Sequence, residues 1–183
     1  NNYMKPHRPY TLEEYNPQWK ETFKEVSHRV KEVLGNIALD VEHIGSTSVE
    51  GMTAKPQIDI LVIVKDLELV KSKHGEMTSA GFTHHGRGYV SEDDDYFSLN
   101  TNEGKRVASI HILQEGNAKI NYYLIFRDYL RTHPKERDLY ISVKKDLYSK
   151  HSDNYAAYDG GKNSVILEIR GRAADWFNIE KDH

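Results

Sequence analysis

The sequence predicts an α+β fold, a small mixed sheet with flanking helices and a helical C-terminal region. Three observations predict it: an amphipathic helical pattern near the start, an Ile/Val-rich strand at Ile58–Val64, and a change to helical spacing from Lys119 onward. The whole chain, 1–183, reads as one domain, with 119–178 as its helical C-terminal part.

Asn16-Pro17 places a capping side chain before a proline suited to the first helical position. Trp19, Phe23, Val26, Val30 and Leu34 then recur at steps of three or four, and Gly35 closes that helix. A short strand over about Ala38–Ile44 leads into the small-residue segment Gly45–Met52, and Ile58–Val64 reads as a buried central strand. A helix around Leu67–Ala80 ends at Gly81. Two or three strands follow between Phe82 and Leu113, the last pair joined by an Asn102-Glu103-Gly104 turn. Leu124, Phe126, Tyr129 and Leu130 share a helix, His133-Pro134 marks a break, and Val165, Ile169, Ala173 and Trp176 share a later helix that Gly160-Gly161 kinks or interrupts.

Composition narrows the function. Cysteine is absent, which excludes disulfides, iron–sulfur clusters, thiolate zinc sites and cysteine nucleophiles. A metal must then sit on carboxylate, imidazole or neutral oxygen, which favours Mg²⁺ or Mn²⁺ over structural Zn²⁺. The net charge of −3 argues against a nucleic-acid partner bound by bulk electrostatics. Ile60–Val64 is the longest apolar run, far short of the roughly 20 residues of a membrane span, and no signal-peptide pattern opens the sequence. The expectation is a cytoplasmic protein with no membrane partner.

The chemistry concentrates in Val41–Val64. A strand running into Gly45-Ser46 and a predicted helix start makes an anion site: Gly45 admits a close phosphate, and Ser46, Thr47 and Ser48 add hydroxyl donors. Lys55 supplies positive charge. Asp59, with twelve residues between it and Ser46, stands in an apolar strand, where a carboxylate is costly unless it binds metal, pairs or reaches solvent. Two readings are open: a phosphate and metal site, or a helix cap with a structural ion pair.

Gly-Ser followed at this distance by a strand-borne Asp resembles the core pattern of the nucleotidyltransferase superfamily. That pattern carries Asp-x-Asp or Asp-x-Glu, because alternation puts both carboxylates on one face to hold Mg²⁺. Here Leu61 stands at the second position. The strand Val107–Leu113, where the superfamily brings a third carboxylate, places Ser109, His111 and Leu113 on one face and offers His111 alone as a ligand.

The segments HIGSTSVEGMTAKPQIDILV, IHILQEGN and LIFRDYLRTHP, then Tyr140 and Lys144, together resemble the GrpB-like family, with Tyr15-Asn16-Pro17-x-Trp19 and Phe23 in agreement. The resemblance runs from about Tyr15 to Trp176. It implies a nucleotidyltransferase-like fold, a reaction largely unassigned, and a link to nucleotide or coenzyme A metabolism through relatives fused to dephospho-CoA kinase. The matching positions are His43, Gly45, Ser46, Thr47, Ser48, Lys55, Asp59, His111, Arg127, Asp128 and Arg131. Glu50 and Ser109 depart from the family's usual Pro and His.

These positions imply a metal-assisted nucleotidyl or phosphoryl transferase acting on a small molecule. Gly45, Ser46, Thr47, Ser48 and His43 would bind the phosphates of a nucleotide or phosphorylated partner. Asp59 and His111 would hold Mg²⁺ or Mn²⁺, and Lys55 and Arg127 would add electrostatic stabilisation. His43 reads equally as a near-core histidine, and Arg131 as a structural ion pair. A non-catalytic nucleotide- or anion-binding module is the rival, since the carboxylate pair is missing; a protein-interaction module using the helical tail is the third reading. His84-His85-Gly86-Arg87 reads as a solvated turn rather than a metal or phosphate loop, Glu92-Asp93-Asp94-Asp95 as a solvated, self-repelling loop rather than a cation site, and the tail tyrosines as amphipathic packing rather than base-stacking platforms.

Overall fold

The computed structural model describes residues 9–88 and 93–182. Helix α1 spans Gln18–Leu34, its start capped by the Asn16 side chain, which accepts from the Gln18 amide at 2.9 Å, and its end set by Gly35 at φ 53°. Strands β1 (Ala38–Ile44) and β2 (Ile58–Val64) flank the Gly45–Gln57 connection, whose single 3₁₀ turn covers Ser46–Ser48. Short helices α2 (Leu67–Lys71) and α3 (His74–Ser79) precede β3 (Phe82–Arg87), β4 (Asp94–Asn100) and β5 (Arg106–Gln114). Four helices complete the chain: α4 (Ala118–Thr132), α5 (Pro134–His151), α6 (Tyr155–Gly161) and α7 (Asn163–Lys181).

The strands form one mixed sheet in the order β1-β2-β5-β4-β3, with β2 and β5 parallel and the other neighbours antiparallel. Alternation sends successive side chains to opposite faces. On one face, Ile60, Val62, Ile110, Ile112 and Phe97 pack with Val26, Val30 and Leu34 of α1, Val70 of α2 and Met77 of α3. On the other, Ile44, Leu61 and Leu113 pack against Ile120, Tyr123 and Leu124 of α4. A further core joins Val49 and Met52 of the connection to Tyr129 and Leu130 of α4, Tyr140 of α5 and Val165, Ile169 and Ala173 of α7. Arg127 fastens α4 to β1: its Nη1 donates to Glu42 Oε2 at 2.7 Å and to the His43 carbonyl at 3.2 Å.

Four expectations need correction. The Gly-Ser segment opens no α-helix, only the 3₁₀ turn at Ser46–Ser48. The helix expected over Leu67–Ala80 is two helices, broken where Ser72 Oγ donates back to the Leu69 carbonyl at 2.7 Å. His84 to Arg87 belong to β3, with a register shift at His84/Gly86, because β4 offers them a pairing edge. Of the acidic run, Asp93 is a solvated turn residue paired with Lys119 at 2.7 Å, but the next two residues are not. Glu92 lies outside the described residues, but Asp94 and Asp95 sit on β4 opposite Leu113 and Ile112, only 1% and 0% exposed. Histidines on both faces of the sheet supply the partners that the charge run itself does not reveal.

Leu61, where a second metal carboxylate was sought, is fully buried between Ile44, Leu113 and α4. Leu61→Ala therefore lowers the unfolding free energy by about 2–5 kcal/mol through lost burial and a residual cavity. Urea titration checks this, the midpoint falling with an unchanged slope.

Candidate functional site

Between the sheet and the C-terminal helices lies a cavity of about 430 Å³. The connection after β1 contributes Gly45, Ser46, Thr47 and Lys55; the sheet contributes Asp59, Tyr96, Arg106, Ser109 and His111. The helices close it with Tyr123, Tyr140, Lys144, Tyr155, Tyr158, Asp159, Lys162 and Arg170. Five basic side chains (Lys55, Arg106, Lys144, Lys162 and Arg170) thus face two carboxylates, Asp59 and Asp159.

The loop and the carboxylate are locked together by a close approach. Ile44 is the register partner of Asp59, and the chain then turns at Gly45 with φ +74°, where a Cβ would lie 2.6 Å from Asp59 Oδ2. Only glycine fits there without displacing the carboxylate. Beneath the loop, Lys144 is fully buried; its Nζ donates to Ser46 Oγ at 2.6 Å and to the Thr53 carbonyl at 2.9 Å. Burial holds this lysine well below its usual range, and the charges of Lys162 and Lys55 push it the same way. Lys55 Nζ donates to the Tyr155 hydroxyl at 2.6 Å, and Arg170 lies over the rings of Tyr122 and Phe126.

His111 stands between two carboxylates. Its Nδ1 is 3.4 Å from Asp94 Oδ2 and its Nε2 is 3.9 Å from Asp59 Oδ1. Burial alone would lower its pKa, but the hydrogen bonds and charges of Asp59 and Asp94 outweigh burial and lift it to about 9. Asp94 Oδ1 is buried and meets no hydrogen-bond partner among the described residues. Alongside, Arg106 donates to Tyr96 Oη at 2.6 Å and to Ser109 Oγ at 3.1 Å, forming a cationic edge to the same patch.

The structure therefore brings Gly45, Ser46, Thr47, Lys55, Asp59 and His111 to one cavity and leaves His43, Ser48 and Arg127 outside its lining. Ser48 Oγ donates to the Gly45 carbonyl, bracing the loop from within. His43 turns to the opposite face, stacked on Phe23 with ring centroids 4.8 Å apart and bonded to Thr47 Oγ1 at 2.9 Å. Arg131 Nε donates to the Ser48 carbonyl at 3.0 Å, a structural contact. Sequence reasoning gave no role to Lys144, Arg106, Asp94 or the cavity-facing tyrosines. One signal was available: Tyr140 and Lys144 are four apart on one helix face, so Lys144 rides the face that packs inward.

Residues 9–172 match the GrpB protein family. This chain belongs to that family. A GrpB-family relative from Halalkalibacterium halodurans, UPF0157 protein BH1888, is 37% identical, the match covering 93% of this chain and 86% of that protein. UPF0157 protein YqkA of Bacillus subtilis is 36% identical over 95% of this chain, which spans half the length of that relative. The crystal structure of the conserved protein GrpB from Enterococcus faecalis superposes with a TM-score of 0.85 at 35% identity, covering 91% of this chain and 99% of that one. A cytoplasmic RNA terminal U-transferase aligns at a TM-score of 0.52 and 14% identity over 75% of this chain and 41% of its own, a likeness of fold. The GrpB-family fold is thus nucleotidyltransferase-like. Among the described residues no helix is long and apolar enough to cross a membrane.

Burial lowers the His43 imidazole to about 4 from its ordinary 6.5, the charge of Asp59 opposing this and those of Arg131 and Arg127 adding to it. Because the folded value is the lower one, the unfolded chain takes up the proton first. The stabilisation is whole above pH 6.5 and is lost as pH falls toward 4. Between pH 7.5 and 4.5 this one residue accounts for about 2–3 kcal/mol of lost stability. Urea unfolding at the two pH values checks it, with His43→Gln showing a correspondingly smaller difference than the wild type.

Proposed function

We propose that the cavity carries out metal-assisted nucleotidyl or phosphoryl transfer from a polyphosphate-bearing donor to a small molecule. One observation carries this reading: Gly45-Ser46, Asp59 and the five basic side chains converge on a single cavity of about 430 Å³, a size that suits a nucleotide. The surplus of positive charge matches a polyanion. The aromatic walls of Tyr123, Tyr140, Tyr155 and Tyr158 suit a base or other flat apolar group beside it.

Mg²⁺ is commonly held by one or two carboxylates together with substrate phosphates, a mode that Asp59 fits. The imidazole of His111, once a bound cation displaces its proton, extends the donor set toward Mn²⁺, with Asp94 orienting the ring from its far nitrogen. When bound, such an ion neutralises charge that builds on the transferring phosphate. The chain's own part is positioning and electrostatics. Lys55, Lys162 and Arg106 face the phosphates, Lys144 holds Ser46 in place, and Gly45 lets the donor approach Asp59. In transfer, the acceptor oxygen bonds to the donor phosphorus, the bond to the leaving phosphate breaks, and the acceptor's proton passes to solvent.

A non-catalytic nucleotide- or anion-binding module is the second reading, and Leu61 favours it: the position that pairs with Asp59 on the strand is apolar and sealed under α4.

Thermal-shift screening against nucleotides and coenzyme A precursors, each with and without Mg²⁺ or Mn²⁺, separates the two. A ligand at a hundred times its dissociation constant stabilises by about 2.7 kcal/mol, a rise in Tm of roughly 5–10 °C. For a transferase the rise requires the metal and disappears in Asp59→Asn, and turnover with the donor so identified falls on the order of a hundredfold. A rise that ignores metal and survives Asp59→Asn supports the binding module. No rise with any of these ligands contradicts both.

A further inference from the structure

We infer that His74, His84 and Asp95 form a divalent transition-metal site of the zinc class, separate from the cavity and on the opposite face of the sheet. The backbone builds it by alternation. Asp94 and Asp95 are neighbours on β4, so their carboxylates leave the sheet on opposite sides, Asp94 toward His111 and Asp95 toward α3. There His74 Nε2 lies 2.7 Å from Asp95 Oδ2, and His84 Nε2 lies 2.6 Å from Asp95 Oδ1. One ligand atom from each of the three residues falls within a 4.8 Å sphere of separation. The two imidazoles lie nearly over one another, with centroids 4.0 Å apart, and both lean on Phe97.

Asp95 is fully buried; Arg87, opposite it on β3, bonds Glu68 instead, and the hydrogen-bond partners of the Asp95 carboxylate among the described residues are these two imidazoles. A buried carboxylate needs a cation or strong donors, and here it has two imidazoles whose rings are 4.0 Å apart and tilted by 41°. A dication satisfies all three groups together. Two imidazoles and one carboxylate, with further positions open, are a donor set that suits zinc and its first-row neighbours. The histidine side chains are 26% and 29% exposed, which gives an ion and its water a way in. Zinc holds such ligand atoms at about 2.0–2.2 Å, so adjacent donors stand roughly 3 Å apart. The three donor atoms, all within 4.8 Å of one another, bracket that spacing.

Untagged full-length protein, stripped with a chelator and titrated with Co²⁺ alone, tests the assignment. One equivalent per chain is expected, with visible absorption bands that Zn²⁺ abolishes on displacing it. His74→Gln and His84→Gln each keep a donor for Asp95, so circular dichroism reports a folded chain while Co²⁺ affinity drops at least tenfold. His28→Gln, at an exposed histidine of α1 paired with Glu32, keeps the bands. Binding that persists in either His74 or His84 variant, that vanishes in His28→Gln, or that never reaches one equivalent overturns the assignment.

Discussion

Lys144 comes from the middle of α5, passes beneath the Gly45–Ser48 turn and donates to Ser46 Oγ and the Thr53 carbonyl, out of reach of solvent. No carboxylate pairs with it among the described residues; both acceptors are neutral oxygens. An amine in such surroundings is costly to charge, and Lys162 and Lys55 raise that cost. The same contact fixes where α5 stands relative to the loop, and Tyr140, one turn earlier, joins the core that carries α4 and α7. Loop, helical region and cavity therefore depend on one electrostatically unsatisfied group, and an anion entering the cavity relieves it.

The sheet distributes chemistry by parity. Odd positions of β2 and β5 present Asp59, Ser109 and His111 to the cavity, while Ile60, Ile110 and Ile112 seal the opposite core. On β4 the parity is reversed, and Asp94 joins the cavity side from a strand where no carboxylate was sought. The result differs from a strand-borne carboxylate pair. Asp59 and Asp94 stand on either side of His111, and their charges favour its protonated form against the effect of burial. On the proposed function, basic side chains around Asp59 replace the usual acidic cluster.

Much of the fold was legible because it rests on local signals. The period of α1, the strand Ile58–Val64 and the Gly160-Gly161 interruption all follow from spacing and backbone preference, and the structure has them where expected. Within the site, Gly45, Ser46, Thr47, Lys55, Asp59 and His111 could be named because they cluster in sequence or sit in a recognisable strand. What escaped depends on long-range packing. The direction in which His43 and Arg127 point is decided by Phe23 and Glu42, and the burial of Asp94 and Asp95 by histidines from β5, β3 and α3. Consecutive acidic residues look solvated in one dimension. Only the strand register shows that partners await them on both sides.

The measurement that bears most directly on this account is the titration of Lys144 itself, followed by NMR of a lysine-labelled protein with the Lys144→Met variant used for assignment. Without ligand, the account predicts a midpoint well below the ordinary 10.5 of a lysine. Adding inorganic tripolyphosphate raises that midpoint, because an anion in the cavity favours the charged form. A midpoint near 10.5 that tripolyphosphate leaves unmoved contradicts both the burial of the amine and its place beneath an anion site.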